Sequence, residues 1–75
     1  MTVEQMRIRE KRKILRETYN AGALTTKQLA RELGVKDYRT AQKWARQTGV
    51  KTIRMGRRIK YDVDDLARVL VKTSW

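Results

Sequence analysis

Residues 24–61 read LTTKQLARELGVKDYRTAQKWARQTGVKTIRMGRRIKY, and they decide the fold. The stretch divides into two short helical patterns, a tight turn between them, and a basic hairpin. Nine Lys and Arg fall between Lys36 and Lys60, against one acid, Asp37. So uneven a charge marks this stretch as the working part of the chain.

The first helical pattern, about Thr26 to Leu33, puts Leu29, Ala30 and Leu33 on one face. Thr25 and Thr26 are both suited to cap its start. Gly34 closes it and Val35 turns inward. Small Ala30 leaves room for a crossing helix, Gly34 permits a left-handed turn, and Val35 anchors that turn from below. The combination is a helix-turn-helix signature.

The second pattern runs from Asp37 or Tyr38 to Thr48, with Asp37 as its cap. Ala41, Trp44 and Ala45 recur at three- and four-residue spacing and form the expected buried stripe, with Trp44 as a core anchor. Tyr38, Arg39, Thr40, Gln42, Lys43 and Arg46 project from the other faces. In a recognition helix, Arg suits guanine, Gln suits adenine, and Lys or Tyr suits a phosphate.

Gly49 ends that helix, and the following residues alternate as a strand pair should. Ile53 and Met55 fall on one side of the first strand, Ile59 and Tyr61 on one side of the second. The tight turn Met55-Gly56-Arg57-Arg58 joins them, with Gly56 able to take positive φ. The expectation is one apolar side packed on the helices and a second side carrying Arg54, Arg58 and Lys60, with Arg57 at the tip. Such a hairpin suits insertion of arginines at a minor groove.

Outward from this stretch, residues 1–20 form an expected N-terminal basic helix opened by a capping box of Thr2 and Gln5. Ile8, Leu15 and Tyr19, with the stem of Arg12, fall on one stripe. Its C-terminal half, where Ile14, Leu15 and Tyr19 cluster, is expected to lean on the domain, and Gly22 is expected to take positive φ after the helix. Its basic run reads equally as a phosphate contact or a solvated face. On the other flank, Asp62-Val-Asp-Asp-Leu66 opens a last helix, its acids favoured in the first turn by the helix dipole. Leu66, Ala67, Val69 and Leu70 are its expected core residues. Ser74-Trp75 reads as a frayed end or a partner contact.

Seventy-five residues make one domain, 1–75, with the helix-turn-helix and hairpin unit over 24–71. A chain of this size buries only roughly 60% of its unfolded surface, which leaves no room for a deep catalytic cleft. Without cysteine or histidine, disulfides, thiolate sites and imidazole ligands are excluded. No cofactor or metal is expected, and an enzyme is the least expected class. The net charge of +11 calls for a polyanionic partner. Nucleic acid fits better than membrane, because the longest basic helix lacks a fully apolar face and no run approaches ~20 apolar residues. A cytoplasmic, nucleoid-associated protein is the expectation.

Taken together, LTTKQLARELGV, Thr40-Ala41 with Trp44, the Ile53-Arg-Met-Gly-Arg-Arg hairpin and Tyr61-Asp-Val-Asp-Asp-Leu66 resemble the excisionase-type, MerR-like winged-helix family of small phage and mobile-element proteins. The resemblance runs from Leu24 to about Leu70. It departs from the family at Lys36, an extra residue that moves the cap to Asp37 and shifts the recognition helix by one position. The resemblance implies a winged helix-turn-helix, mainly α with a small β-hairpin, and the extra N-terminal helix read above lies outside it. It also implies site-specific binding of double-stranded DNA, with cooperative self-association on it and an integrase or recombinase as a protein partner. The expected DNA-contacting set is Thr26, Lys27, Lys36, Tyr38, Arg39, Thr40, Gln42, Lys43, Arg46, Arg54, Arg57, Arg58 and Lys60. The same fold serves transcription regulators and terminase small subunits, and a basic RNA-binding protein is the remoter alternative.

Overall fold

The computed structural model describes residues 1–73, over which the chain forms four helices and three short strands. Helix α1 spans Val3–Tyr19, strand β1 Ala23–Thr25, helix α2 Thr26–Leu33 and helix α3 Tyr38–Thr48. Strands β2, Thr52–Met55, and β3, Arg58–Asp62, lead into helix α4, Val63–Lys72. The reading of Ser74-Trp75 lies outside the described residues.

Each helix begins where a side chain can receive its unpaired amides. Thr2 and Gln5 form the capping box of α1, with reciprocal hydrogen bonds of 3.0 and 3.1 Å. Thr25 and Gln28 repeat the device at α2. Asp37 accepts from the Arg39 amide at 2.9 Å, and Asp62 from the Asp65 amide at 3.0 Å. The ends are equally local. At Gly34, φ is +75° and the Val35 amide reaches back to the Ala30 carbonyl, so the valine is drawn under the turn. Gly49-Val50 closes α3 in the same way.

At the end of α1 the expectation fails. Asn20, not Gly22, takes the left-handed conformation, at φ 49°. Asparagine is among the few residues that tolerate it, so the chain reverses two residues sooner than the glycine suggests. The freed segment becomes β1, a strand the sequence pattern did not reveal. Three residues are too few for an alternation signal, and β1 exists only through its partner β3. The sheet order is β1-β3-β2, antiparallel throughout, with Leu24 opposite Tyr61.

The hairpin also departs from its expected faces. In the β2–β3 ladder Thr52 opposes Tyr61, Ile53 opposes Lys60, Arg54 opposes Ile59 and Met55 opposes Arg58. Directly opposed residues share a face. Arg54 therefore lies on the same side as Ile59 and buried Tyr61, while Ile53 and Met55 lie on the outer side with Arg58 and Lys60. The two-residue loop Gly56-Arg57 fixes this register, because it forces Met55 to face Arg58.

The core is built from both ends of the chain. Leu15 of α1, Leu24 of β1, Leu29 of α2, and Val63, Leu66 and Leu70 of α4 are fully buried. Ala41 and Ala45 bring α3 close to α2, and Trp44 packs partly buried against this core. Helix α1 lies along α4 through Leu15, Ile8 and Tyr19, but Ile14 is 48% exposed. It sits one position, about 100°, from Leu15 on the helix and so points away from the core.

Polar links hold α1 to the rest. The Tyr19 hydroxyl donates to Glu32 at 2.9 Å, and Lys11 pairs with the same carboxylate at 3.4 Å. Arg16 meets Asp64 at 2.9 Å. Partial burial, helped by the Glu32 hydrogen bond, raises the Tyr19 hydroxyl above its ordinary pKa. At the other end of the sheet, Asp65 receives the Lys51 amide at 2.7 Å and the Arg68 guanidinium at 2.8 Å. Burial pushes the Asp65 carboxyl up, but these donors outweigh it and leave its pKa below the ordinary carboxylate value.

Candidate nucleic-acid interface

Burial of Ala41 and Ala45 fixes the rotation of α3 and therefore what it shows to solvent. Tyr38, Arg39, Thr40, Lys43 and Arg46 are exposed, and Gln42 is half-buried between them. Arg39, Gln42, Lys43, Arg46 and Gln47 border one shallow depression along this face. Gln47 was missed in the sequence reading. Its position four residues after Lys43 was the available signal.

The hairpin stands beside this helix. A groove of about 400 Å³ runs between them, lined by Gln42 and Arg46 from α3 and by Thr52, Ile59 and Tyr61 from the sheet. The Arg54 side of the hairpin thus faces α3. Arg58 and Lys60 belong to the opposite side, and Arg57 occupies the tip. Thr26 and Lys27 sit on the first turn of α2, and Lys36 in the turn before α3.

Every ion pair among the described residues lies on α1 or α4: Lys11 with Glu32, Arg12 and Arg16 with Asp64, and Arg68 with Asp65. Among the described residues, Lys27, Lys36, Arg39, Lys43, Arg46, Arg54, Arg57, Arg58 and Lys60 have no acidic partner, and Arg7, Arg9 and Lys13 of α1, Arg31, Lys51 and Lys72 likewise form no ion pair. All except half-buried Lys60 are exposed. Asp37, the one acid of this region, turns its carboxylate to the Arg39 amide as a cap.

The acids at the start of α4 are likewise committed. Asp62 caps the helix, Asp64 meets Arg12 and Arg16, and Asp65 holds the Lys51 amide and Arg68. No group of Asp and Glu side chains suited to a metal ion occurs among the described residues. Nor is any helix among them long and apolar enough to cross a membrane.

Comparison with known proteins returns no matching family model, no matching curated protein and no matching solved structure. What the interface can do therefore follows from its chemistry. It offers a row of Arg, Lys and Gln donors on a rigid helix, a second set on a projecting hairpin, and a groove between the two. That surface is strongly cationic and rich in hydrogen-bond donors.

Proposed function

We propose that this chain is a winged helix-turn-helix protein that binds double-stranded DNA in a sequence-dependent way, with α3 in the major groove and the β2–β3 wing at the adjacent minor groove. One observation carries the reading: the cations of α3 and of the wing beside it have no acidic partner among the described residues, whereas every ion pair the fold does make involves α1 or α4. An unpaired cation gains most from a phosphate, since no internal ion pair must first be broken.

The roles follow from position. Arg39 and Gln42, on the first half of α3, read base edges, where bidentate pairing of Arg with guanine or Gln with adenine is available, and Lys43 beside them meets a phosphate. Arg46 and Thr52 border the groove between helix and wing, and Arg54 shares that face of the hairpin. These three meet the phosphate strand that separates the two DNA grooves. Thr26, Lys27, Lys36, Tyr38 and Thr40 make flanking backbone contacts. Arg57, Arg58 and Lys60 serve the minor groove, whose negative potential attracts arginine.

The resemblance of LTTKQLARELGV and of the Ile53–Arg58 hairpin to excisionase motifs supports an architectural role in phage or mobile-element recombination, with copies bound side by side and an integrase as partner. The test has two parts. Affinity for duplex DNA falls steeply with salt, with a log–log slope near −5 for about six phosphate contacts, and exceeds that for single-stranded RNA. Equal affinity for RNA rejects the reading. A footprint on the DNA flanking the gene then separates roles: repeated sites beside an attachment site support the recombination role, and a lone promoter operator supports a regulator.

A further inference from the structure

The outer face of the wing holds two apolar side chains that the core does not use. Met55 is 64% exposed and Ile53 38% exposed, and neither packs against the core. They follow one another on the same side of β2. Directly across the ladder stand Lys60 and Arg58. An apolar pair therefore lies about 5 Å from a cationic pair. Asp62, the acid on that face of β3, is turned into the cap of α4.

Met55 is also the last residue before the tip. Gly56 follows it at φ +62°, and nothing would lie within 4 Å of a β-carbon there. The tip is thus slim, with Arg57 leading and Met55 and Arg58 side by side behind it. A second protein would suit the apolar pair but not the unpaired cations around it. A duplex suits both, since phosphates line the groove and stacked bases lie at its floor.

Resting on the DNA-binding reading above, we infer that Met55 is a wedge that enters a base step from the minor groove, while Arg57 and Arg58 hold the flanking phosphates. Methionine suits such a wedge because it is unbranched, polarizable and able to slide between base edges. Apolar wedges of this kind unstack a step and kink the duplex by about 20–90° toward the major groove. The kink falls most readily at pyrimidine–purine steps, which the protein then prefers without contacting their bases by hydrogen bonds.

The test uses the intact chain and short duplexes carrying a TpA step, with donor and acceptor dyes at the ends and 2-aminopurine at the step. Binding of the unaltered protein shortens the end-to-end distance and brightens 2-aminopurine as its neighbour unstacks. Met55→Ala binds within ~3-fold of it and keeps its salt slope, but loses the brightening and most of the bend, whereas Met55→Leu retains both because it keeps an apolar wedge. Arg57→Ala does the converse: its salt slope falls by about 1 while the brightening stays.

Brightening by Met55→Ala equal to that of the unaltered protein overturns the wedge. So does binding by the unaltered protein without brightening, and so does failure of Met55→Leu to restore what Met55→Ala loses. Absence of duplex binding by the unaltered protein is a different result, which removes the DNA-binding reading and the wedge together.

Discussion

Gly34 shows how one backbone angle sets the approach of two helices. A β-carbon there would meet nothing within 4 Å, yet φ is +75°. The cost of Gly34→Ala is therefore conformational, about 1 kcal/mol. On a chain of this size the melting temperature should fall by ~4–8 °C, with the cooperativity of the transition preserved. No drop in the melting curve would mean that the turn relaxes to a right-handed form. Asp65 joins the start of β2 to α4 through the Lys51 amide and Arg68. Folding lowers its pKa, so its contribution is complete above the unfolded value and is lost as pH falls through the lower, folded one. Asp65→Asn should cost about 1–2 kcal/mol at neutral pH. Urea unfolding at pH 7 and again in strong acid should show that difference shrinking as the wild-type carboxylate is protonated.

The β2–β3 hairpin is the element on which sequence pattern and structure part. Both strands alternate, and alternation alone gives each strand two faces without saying which faces match across the ladder. The two-residue loop supplies the missing fact, since Met55 must then oppose Arg58. That constraint was present in the sequence and was overridden by the preference for one apolar side. The helices were legible because their signals are local: threonine and aspartate caps, Gly-Val closures, and alanines at three- and four-residue spacing. Strand β1 was not, since three residues carry no period and its pairing with β3 is remote in sequence. Of the candidate interface, the α3 side chains, Gln47 included, could be read from their spacing, while Thr52 and the α3-facing position of Arg54 needed the register. The register has a thermodynamic consequence. Tyr61 is 3% exposed and Ile53 38% exposed, on opposite faces. Tyr61→Ala should cost on the scale of a buried Phe→Ala, about 3–5 kcal/mol, and Ile53→Thr within about 0.5 kcal/mol. Comparable losses in chemical denaturation would restore the single apolar side.

Across the whole molecule, measuring 38 × 21 × 19 Å, some cations meet an acid and others do not. A net charge of +11 would draw the chain to any polyanion, so affinity alone does not separate bulk attraction from a defined face. Sorting by partner does. Replacing Lys43, Arg46 and Arg58 with Gln removes three cations that have no acidic partner. Replacing Lys11, Arg12 and Arg16 removes three that already meet Glu32 or Asp64. Both triple variants lose the same formal charge. The first should lower the steepness of the salt dependence of duplex binding by about 3, at roughly 0.9 per phosphate contact, with stability unchanged. The second should leave that steepness alone and lose at most about 1 kcal/mol of stability per ion pair, because exposed pairs contribute little. Isothermal titration across a salt series, paired with thermal melts, reads both quantities on the same samples. Equal drops in steepness for the two variants would mean that DNA responds to the total charge and that α3 and the hairpin hold no privileged face.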